Sequence, residues 1–253
     1  IDTERIVANS IPINREGSHV VYWMTSARRS RWNHGLDHAI DLANEANVPL
    51  IVVESLALGH RWANDRIHTF VLQGMIDNRK LFESAPLTYI PYVETKKGQA
   101  SGLLRSFTKG AVAMVIDDYP TYMPREVANR AMEIGECCVI AVDSNGILPL
   151  RTPERSFTTA YSFRRYLHKN ILGFLAKPPM AEPLKALNDL PDGKSIADEA
   201  FARADVPIPP YEFIWRVAEA SREGRDALSY LDIDHEVFPI DSTTGGSVKA
   251  RVE

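Results

Sequence analysis

Apolar and polar positions follow two rhythms along this chain, and the switching between them spells out an α/β order. Val20–Met24 is a short, mostly apolar run of the kind that a strand buried on both faces requires. Trp32, Leu36, Ala39, Ile40 and Ala43 then recur at three- and four-residue spacing, which predicts an amphipathic helix. Leu50–Val53, after Pro49, predicts a second buried strand. Asn64 or Asp65 is placed to cap a helix whose Ile67, Phe70, Val71, Met75 and Leu81 share one side. Leu87–Val93 predicts a third strand and Ser101–Lys109 a brief helix. Ala111–Ile116 predicts a fourth strand that ends at Asp117-Asp118. Pro124–Glu136 reads as a helix with proline in its first turn, and Cys137–Val142 as a fifth strand. Five buried strands separated by helices predict an α/β fold: a five-stranded, parallel, doubly wound (Rossmann-like) sheet with helices on both faces.

After Asn145 the rhythm changes. Thr158–Asn170 reads as a helix with Phe163, Tyr166 and Leu167 apolar, and Arg164, Arg165 and Lys169 basic. Ala176–Asp192 carries Pro178, Pro179, Pro183 and Pro191 and reads as a connector. Ile196–Ala204 and Tyr211–Tyr230 read as helices, with Pro207, Pro209 and Pro210 between them, and His235–Ser247 reads as a linker. The expected division is an α/β domain over residues 1–150 and a mostly helical, proline-rich connector over 151–253. There is no internal repeat and no low-complexity tract.

Composition narrows the classes. The 253 residues are 45% hydrophobic and 25% charged, as in an ordinary globular protein. No run of eighteen apolar residues is available to cross a membrane, so none is expected as a partner. The N-terminus, Ile1 to Arg5, has no signal-peptide core and no initiator Met, so the start reads as processed or trimmed. The two cysteines, Cys137 and Cys138, are adjacent, and neighbours in a strand point to opposite faces. No disulfide is expected between them, and a reducing cytoplasm is the expected compartment. A net charge of −4 argues against this segment being the main grip on duplex DNA, which rests on phosphate neutralisation.

The usual phosphate loops are missing: no G-x-G-x-x-G follows the first strand and no G-x-x-x-x-G-K-[ST] occurs. Thr25-Ser26-Ala27-Arg28-Arg29 stands in that place. Ligands of parallel α/β sheets sit beyond the carboxyl ends of the strands. The loops to watch are therefore Met24–Arg31, Glu54–His60, Asp117–Pro124 and Asp143–Asn145. They supply guanidiniums, carboxylates and an amide, suited either to orienting a planar heteroaromatic ligand or to fold-maintaining ion pairs on a solvated rim. His34 and His38 lie one helical turn apart, but no third ligand accompanies them, so they read as a surface pair and no metal is expected. The Asp117-Asp118 pair suits capping or ligand orientation better than acid catalysis. Nothing resembles an activated nucleophile, and no catalytic residue is assigned. Arg151, Arg155, Arg164, Arg165, His168 and Lys169, interleaved with Phe157, Tyr161, Phe163 and Tyr166, suit docking of a neighbouring domain better than a nucleic-acid backbone.

The stretch His19–Leu36, with Tyr22-Trp23-Met24 and then Arg29, Arg31 and Asn33, resembles the first βα unit of the DNA photolyase/cryptochrome family, in particular class II photolyases. Arg66–Met75 resembles the family's second helix. Ala113–Arg125 resembles its fourth strand and the following helix start, and Val142–Pro149 its fifth strand and turn. Thr158–Leu167 resembles the segment where the family's chain leaves the α/β domain. Two departures stand out: Trp32 occupies the place of the family's Asp, and Ser144-Asn145-Gly146 displaces its turn His.

The resemblance implies the N-terminal part of a light-driven flavoprotein that repairs cyclobutane pyrimidine dimers in damaged DNA. In that family this domain can house an antenna pigment, a deazaflavin or a folate, while FAD sits in a C-terminal helical domain. The resemblance points to Met24, Arg28, Arg31, Glu54, Arg66 and Asp117 as the antenna rim. It also makes Gly245–Glu253 the start of the flavin domain's first helix. Joined to its FAD domain the protein is expected to be a deoxyribodipyrimidine photolyase, and this piece alone is expected to be inactive. A cryptochrome-like light sensor without repair, and a stand-alone nucleotide-binding α/β protein, are the alternatives.

Overall fold

A computed structural model describes residues 1–207, 215, 228–240, 242–248 and 250. Its centre is a six-stranded sheet of β1 (Ile6–Ala8), β2 (Val20–Met24), β3 (Leu50–Leu56), β4 (Thr88–Val93), β5 (Ala113–Asp117) and β6 (Cys138–Val142). The order across the sheet is β1-β6-β5-β2-β3-β4. The five expected strands are present, and all pair in parallel. The sixth, β1, is an addition to the expected five: it runs antiparallel along β6, with Ile6 opposite Val142. Three residues of partial exposure leave no apolar run to read, so only the pairing with β6 makes this segment a strand.

The helices connecting these strands are α1 (His34–Ala46), α2 (Asp65–Phe82), α3 (Leu103–Thr108) and α4 (Tyr122–Ile134), followed by α5 (Ala160–Leu175) and α6 (Lys194–Ala204). Three of the starts are fixed by side-chain caps, that of α5 by Thr159 Oγ1, which accepts from the Ser162 N–H at 3.2 Å. Asn33 Oδ1 accepts from the Leu36 N–H at 3.1 Å, and Asn64 Oδ1 from the Ile67 N–H at 2.9 Å.

Strand alternation sorts the interior into two cores. On β2, Tyr22 and Met24 face α1, with Leu36, Ala39 and Ile40, while Val21 and Trp23 face the opposite layer, with Phe107, Ala128 and Phe201. Cys137 and Cys138 fall into opposite cores and both are free thiols. Because β2 has β3 on one side and β5 on the other, the winding reverses between β2 and β5. The loops that leave the carboxyl ends there splay apart, and that geometry opens a crevice in folds of this kind.

The later part of the chain is not detached from this body. Leu184, Leu187 and Leu190 join the α1-side core, and α6 inserts Phe201 into the other. The expected linker His235–Ser247 is strapped along α2, where Asp65 and Arg66 donate their N–H groups to the carbonyls of Asp234 and Val237. The approach tightens at Gly245: a Cβ there would stand 1.9 Å from the Phe70 carbonyl oxygen, so only glycine fits. Most of the expected helix Tyr211–Tyr230, and Lys249 and Arg251–Glu253 of the expected Gly245–Glu253 helix start, lie outside the described residues. Among the described residues no helix is long and apolar enough to cross a membrane, and no group of three or more His, Cys, Asp or Glu is placed to hold a metal ion.

Candidate functional site

The loop between β2 and α1 is built around one carboxylate. Asp117, at the end of β5 and 1% exposed, accepts the consecutive N–H groups of Thr25, Ser26 and Ala27 on Oδ2 at 2.8, 2.8 and 2.9 Å. Its Oδ1 accepts the Tyr22 hydroxyl at 2.7 Å. Burial, and then the adjacent Asp117 charge, push the Tyr22 phenol well above its ordinary range, so it stays a donor. Three aligned N–H groups closing on an anion form a nest, the arrangement that other α/β proteins offer to phosphate. Here the protein supplies the anion itself.

A second buried cluster stands at the end of β3. Glu54 is fully buried and receives Arg28 at 3.2 Å, Asn78 at 2.9 Å and the Tyr89 hydroxyl at 2.6 Å. Arg28 also donates to the carbonyls of Thr25 and Ser55, so its guanidinium locks the β2–α1 loop to β3. A buried carboxylate with one guanidinium and two neutral donors is satisfied, and it carries no free charge to the surface.

Above these clusters a cleft of about 660 Å³ opens beyond the carboxyl ends of β2 and β3. The β2–α1 loop contributes Ser26, Arg28, Arg29, Arg31 and Trp32, and β3 contributes Glu54. The wall from α2 consists of Phe70, Val71 and Gly74, and the strap over α2 adds Gly246, Ser247 and Ala250. Trp32 and Phe70 are each 50% exposed, unusual for large aromatics. Trp32 also holds a left-handed backbone at φ 50°, kept there by its N–H bond to the Met180 carbonyl and by Arg29, which donates to the Trp32 carbonyl at 3.0 Å. Strained non-glycine residues persist where the surroundings over-determine them.

The six residues expected at the rim separate into three groups. Arg28, Arg31 and Glu54 line the cleft, with Arg31 paired to Glu182 at 2.5 Å and about one-third exposed. Met24 and Asp117 lie beneath it, the first in the α1-side core and the second as the loop's anchor. Arg66 lies one turn N-terminal of Phe70 on α2 and outside the cleft, where its guanidinium donates to the Phe238 carbonyl at 2.9 Å and lines a separate cleft of about 250 Å³. The sequence reading left out Trp32, Phe70 and Gly74 as wall residues. Phe70 and Gly74 lie four residues apart on α2, one helical turn. Their shared face was legible, but its exposure was not.

No family model matches the chain. Two curated relatives do. One is a deoxyribodipyrimidine photo-lyase of Methanothermobacter thermautotrophicus (strain Delta H), 28% identical over 183 residues, which are 72% of this chain and 40% of the relative. The other is a deoxyribodipyrimidine photo-lyase of Arabidopsis thaliana, 29% identical over 181 residues, 69% of this chain and 35% of the relative. Over about 70% of its length the chain is similar to these photolyases. It spans less than half the length of these photolyases. A crystal structure of a bacterial class III photolyase from Agrobacterium tumefaciens superposes at a TM-score of 0.46 and 17% identity, over 83% of this chain and 43% of that one.

Two buried histidines of the fold are held neutral. His68, on α2, is fully buried and its pKa is pushed down to about 4, by burial first and by His60 stacked on it with ring centroids 6.0 Å apart. His34, at the first turn of α1, is likewise pushed down to about 4 by burial and by Arg5. His34 and His38 do not form an exposed surface pair: His34 is buried and His38 half-buried.

Proposed function

We propose that this chain is the N-terminal α/β part of a class II-like deoxyribodipyrimidine photolyase, and that the cleft at the β2–β3 edge is its antenna-pigment site. Two exposed aromatic rings, Trp32 and Phe70, bordering a cleft of about 660 Å³ beside the guanidiniums of Arg28, Arg29 and Arg31, carry this reading. A planar heteroaromatic such as a deazaflavin or a folate fits that donor set: rings stack on the aromatics, and ring carbonyls or carboxylates meet the guanidiniums. When bound, the pigment would absorb near-ultraviolet or blue light and hand the excitation to FAD. The chain's own part is to orient the pigment and keep water from it. Arg28, tied to Glu54 and Ser55, sets one wall rigidly, while Arg31 is the guanidinium with reach to adapt to the ligand.

FAD would be held by a helical domain of the complete protein, and damaged DNA would be met mainly there, as the acidic balance of this segment suggests. The boundary we propose runs near residue 150, with 151–253 leading to the flavin domain. Helix α5 supports a docking role for that region. None of its residues is buried, and it presents Tyr161, Phe163, Leu172 and Leu175 to the exterior alongside Arg164 and Arg165. Tyr161, Leu172 and Leu175 share one side of this helix, and exposed apolar side chains so grouped are expected to meet a partner surface. The working compartment is proposed as the cytoplasm.

The test is to express the complete protein and record its absorption spectrum and its light-dependent cleavage of thymine dimers. A blue or near-ultraviolet pigment band together with dimer repair supports the reading. A flavin band without repair replaces it with light sensing, and a colourless protein whose spectrum answers only to ATP overturns it.

A further inference from the structure

A second cleft, of about 350 Å³, lies at the same carboxyl edge, beyond the end of β6. The β2–α1 loop gives it Arg29, the first residue of α1 gives it His34, and the chain after α5 gives it Lys177. Arg5, just before β1, is buried against it. Phe174 and Pro178 supply an apolar wall, and no Asp or Glu lines the cleft among the described residues.

The two guanidiniums carry charge that no ion pair cancels. Arg5 donates to the carbonyls of Asp143 and Ile147, and Arg29 to those of Trp32 and Ser144. Neither has an acidic partner within ion-pair distance among the described residues, and Arg29 keeps its Nη1 free. Asp143 tempers Arg5 from nearby, but its carboxylate is consumed by the N–H groups of Asn145 and Leu150, at 2.9 and 2.6 Å. Lys177 is exposed, and its pair with Asp2 at 2.8 Å is open to exchange. The 13-residue α1 adds the positive end of its dipole at the same place.

His34 points to the occupant. It is 8% exposed, its ring nitrogens have no hydrogen-bond partner among the described residues, and neither nitrogen is sealed from solvent. A neutral imidazole so far buried costs stability unless its N–H meets an acceptor. An oxoanion supplies that acceptor and takes the Arg29 and Lys177 donors through its other oxygens. We propose that this cleft is an oxoanion site, for a phosphate group held by the His34 ring N–H, Arg29 Nη1 and Lys177 Nζ. The phosphate is either free or part of a small organic phosphate whose body lies on Phe174 and Pro178. The site shares Arg29 and Trp32 with the antenna cleft, yet it stands without that reading, since His34 and Lys177 belong to it alone.

Inorganic phosphate and phenyl phosphate, titrated into the 253-residue chain at pH 7 and followed by nuclear magnetic resonance, test it. Both are expected to bind saturably and to shift the imidazole proton signals of His34. Tighter binding of phenyl phosphate assigns the organic source, and equal affinity assigns free phosphate. Saturating phosphate should also raise the pKa of His34 by about one pH unit or more, because a bound anion favours the imidazolium. His34→Phe should weaken phosphate binding about tenfold and Lys177→Gln about threefold. Lys177 is exposed, so its variant keeps the test valid even where His34→Phe fails to fold. Arg130→Gln, an exposed charge on α4 across the sheet, should bind phosphate as the wild type does. The proposal is overturned by absence of saturable binding at millimolar phosphate, by His34 signals indifferent to bound phosphate, or by Lys177→Gln and Arg130→Gln behaving alike.

Discussion

The Tyr22 hydroxyl donates to Asp117 at 2.7 Å, joining β2 to β5 at the point where the winding of the sheet reverses. Through the same carboxylate, three successive N–H groups of the β2–α1 loop are turned inward. Replacing Asp117 by Ala strands four donors in a buried site. We expect a loss of about 4 kcal/mol in denaturant unfolding, against about 2 kcal/mol for Tyr22→Phe, which deletes the bond to Asp117 and the one accepted from Asn33 Nδ2 at 2.9 Å but leaves the nest closed.

Arg28 and Glu54 should behave as one unit. Arg28→Ala leaves a fully buried carboxylate with only Asn78 and Tyr89 as donors, and is expected to cost about 3 kcal/mol. Adding Glu54→Gln to that background should cost less than Glu54→Gln does alone, with a coupling of at least about 1 kcal/mol in a double-mutant cycle.

Stability should depend on acid in a defined window. His34 and His68 bind protons more weakly in the folded chain, with values about 4 against 6.5 when unfolded, so the fold loses stability as pH drops from 6.5 towards 4. Asp37 opposes them: burial, and then Asp41, raise it from 3.8 to about 6, so its folded form gains a proton first and gains stability as pH falls through that range. Asp37→Asn should therefore stabilise the chain at pH 7.5, by up to about 1 kcal/mol, and steepen the loss on acidification. Thermal melts from pH 4 to 8 measure both.

Trp32 sets stability against binding. Its left-handed backbone at φ 50° suits glycine, so Trp32→Gly should raise stability by up to about 1 kcal/mol. The same change removes a wall of the cleft and should weaken pigment retention. Trp32→Ala should weaken retention without the gain, because it keeps a Cβ at the same φ.

Much of this fold is legible in the sequence because its strands are buried on both faces. Val20–Met24 and Cys138–Val142 are buried at every position, and such runs of apolar residues announce themselves without neighbours. Asn33 and Asn64 mark the helix starts by local chemistry. The strand Ile6–Ala8 was not legible, since its only support comes from β6, more than 130 residues away. The same holds for the site. Loop position foretold that Arg28, Arg31 and Glu54 would meet at one rim. Nothing local foretold that Asp117 would turn inward to close the loop of residues 25–27, or that Arg66 would face the strap instead.

Equilibrium dialysis of the chain against a deazaflavin, with Gly74→Trp as its partner variant, bears most directly on the antenna assignment. Gly74 borders the cleft on α2, and a Cβ there meets only ordinary contacts with Gly246, the nearest at 3.7 Å, so the substitution fills the cleft without breaking the helix. The account predicts one deazaflavin retained per wild-type chain and none by Gly74→Trp. Equal retention by both, or by neither, contradicts it.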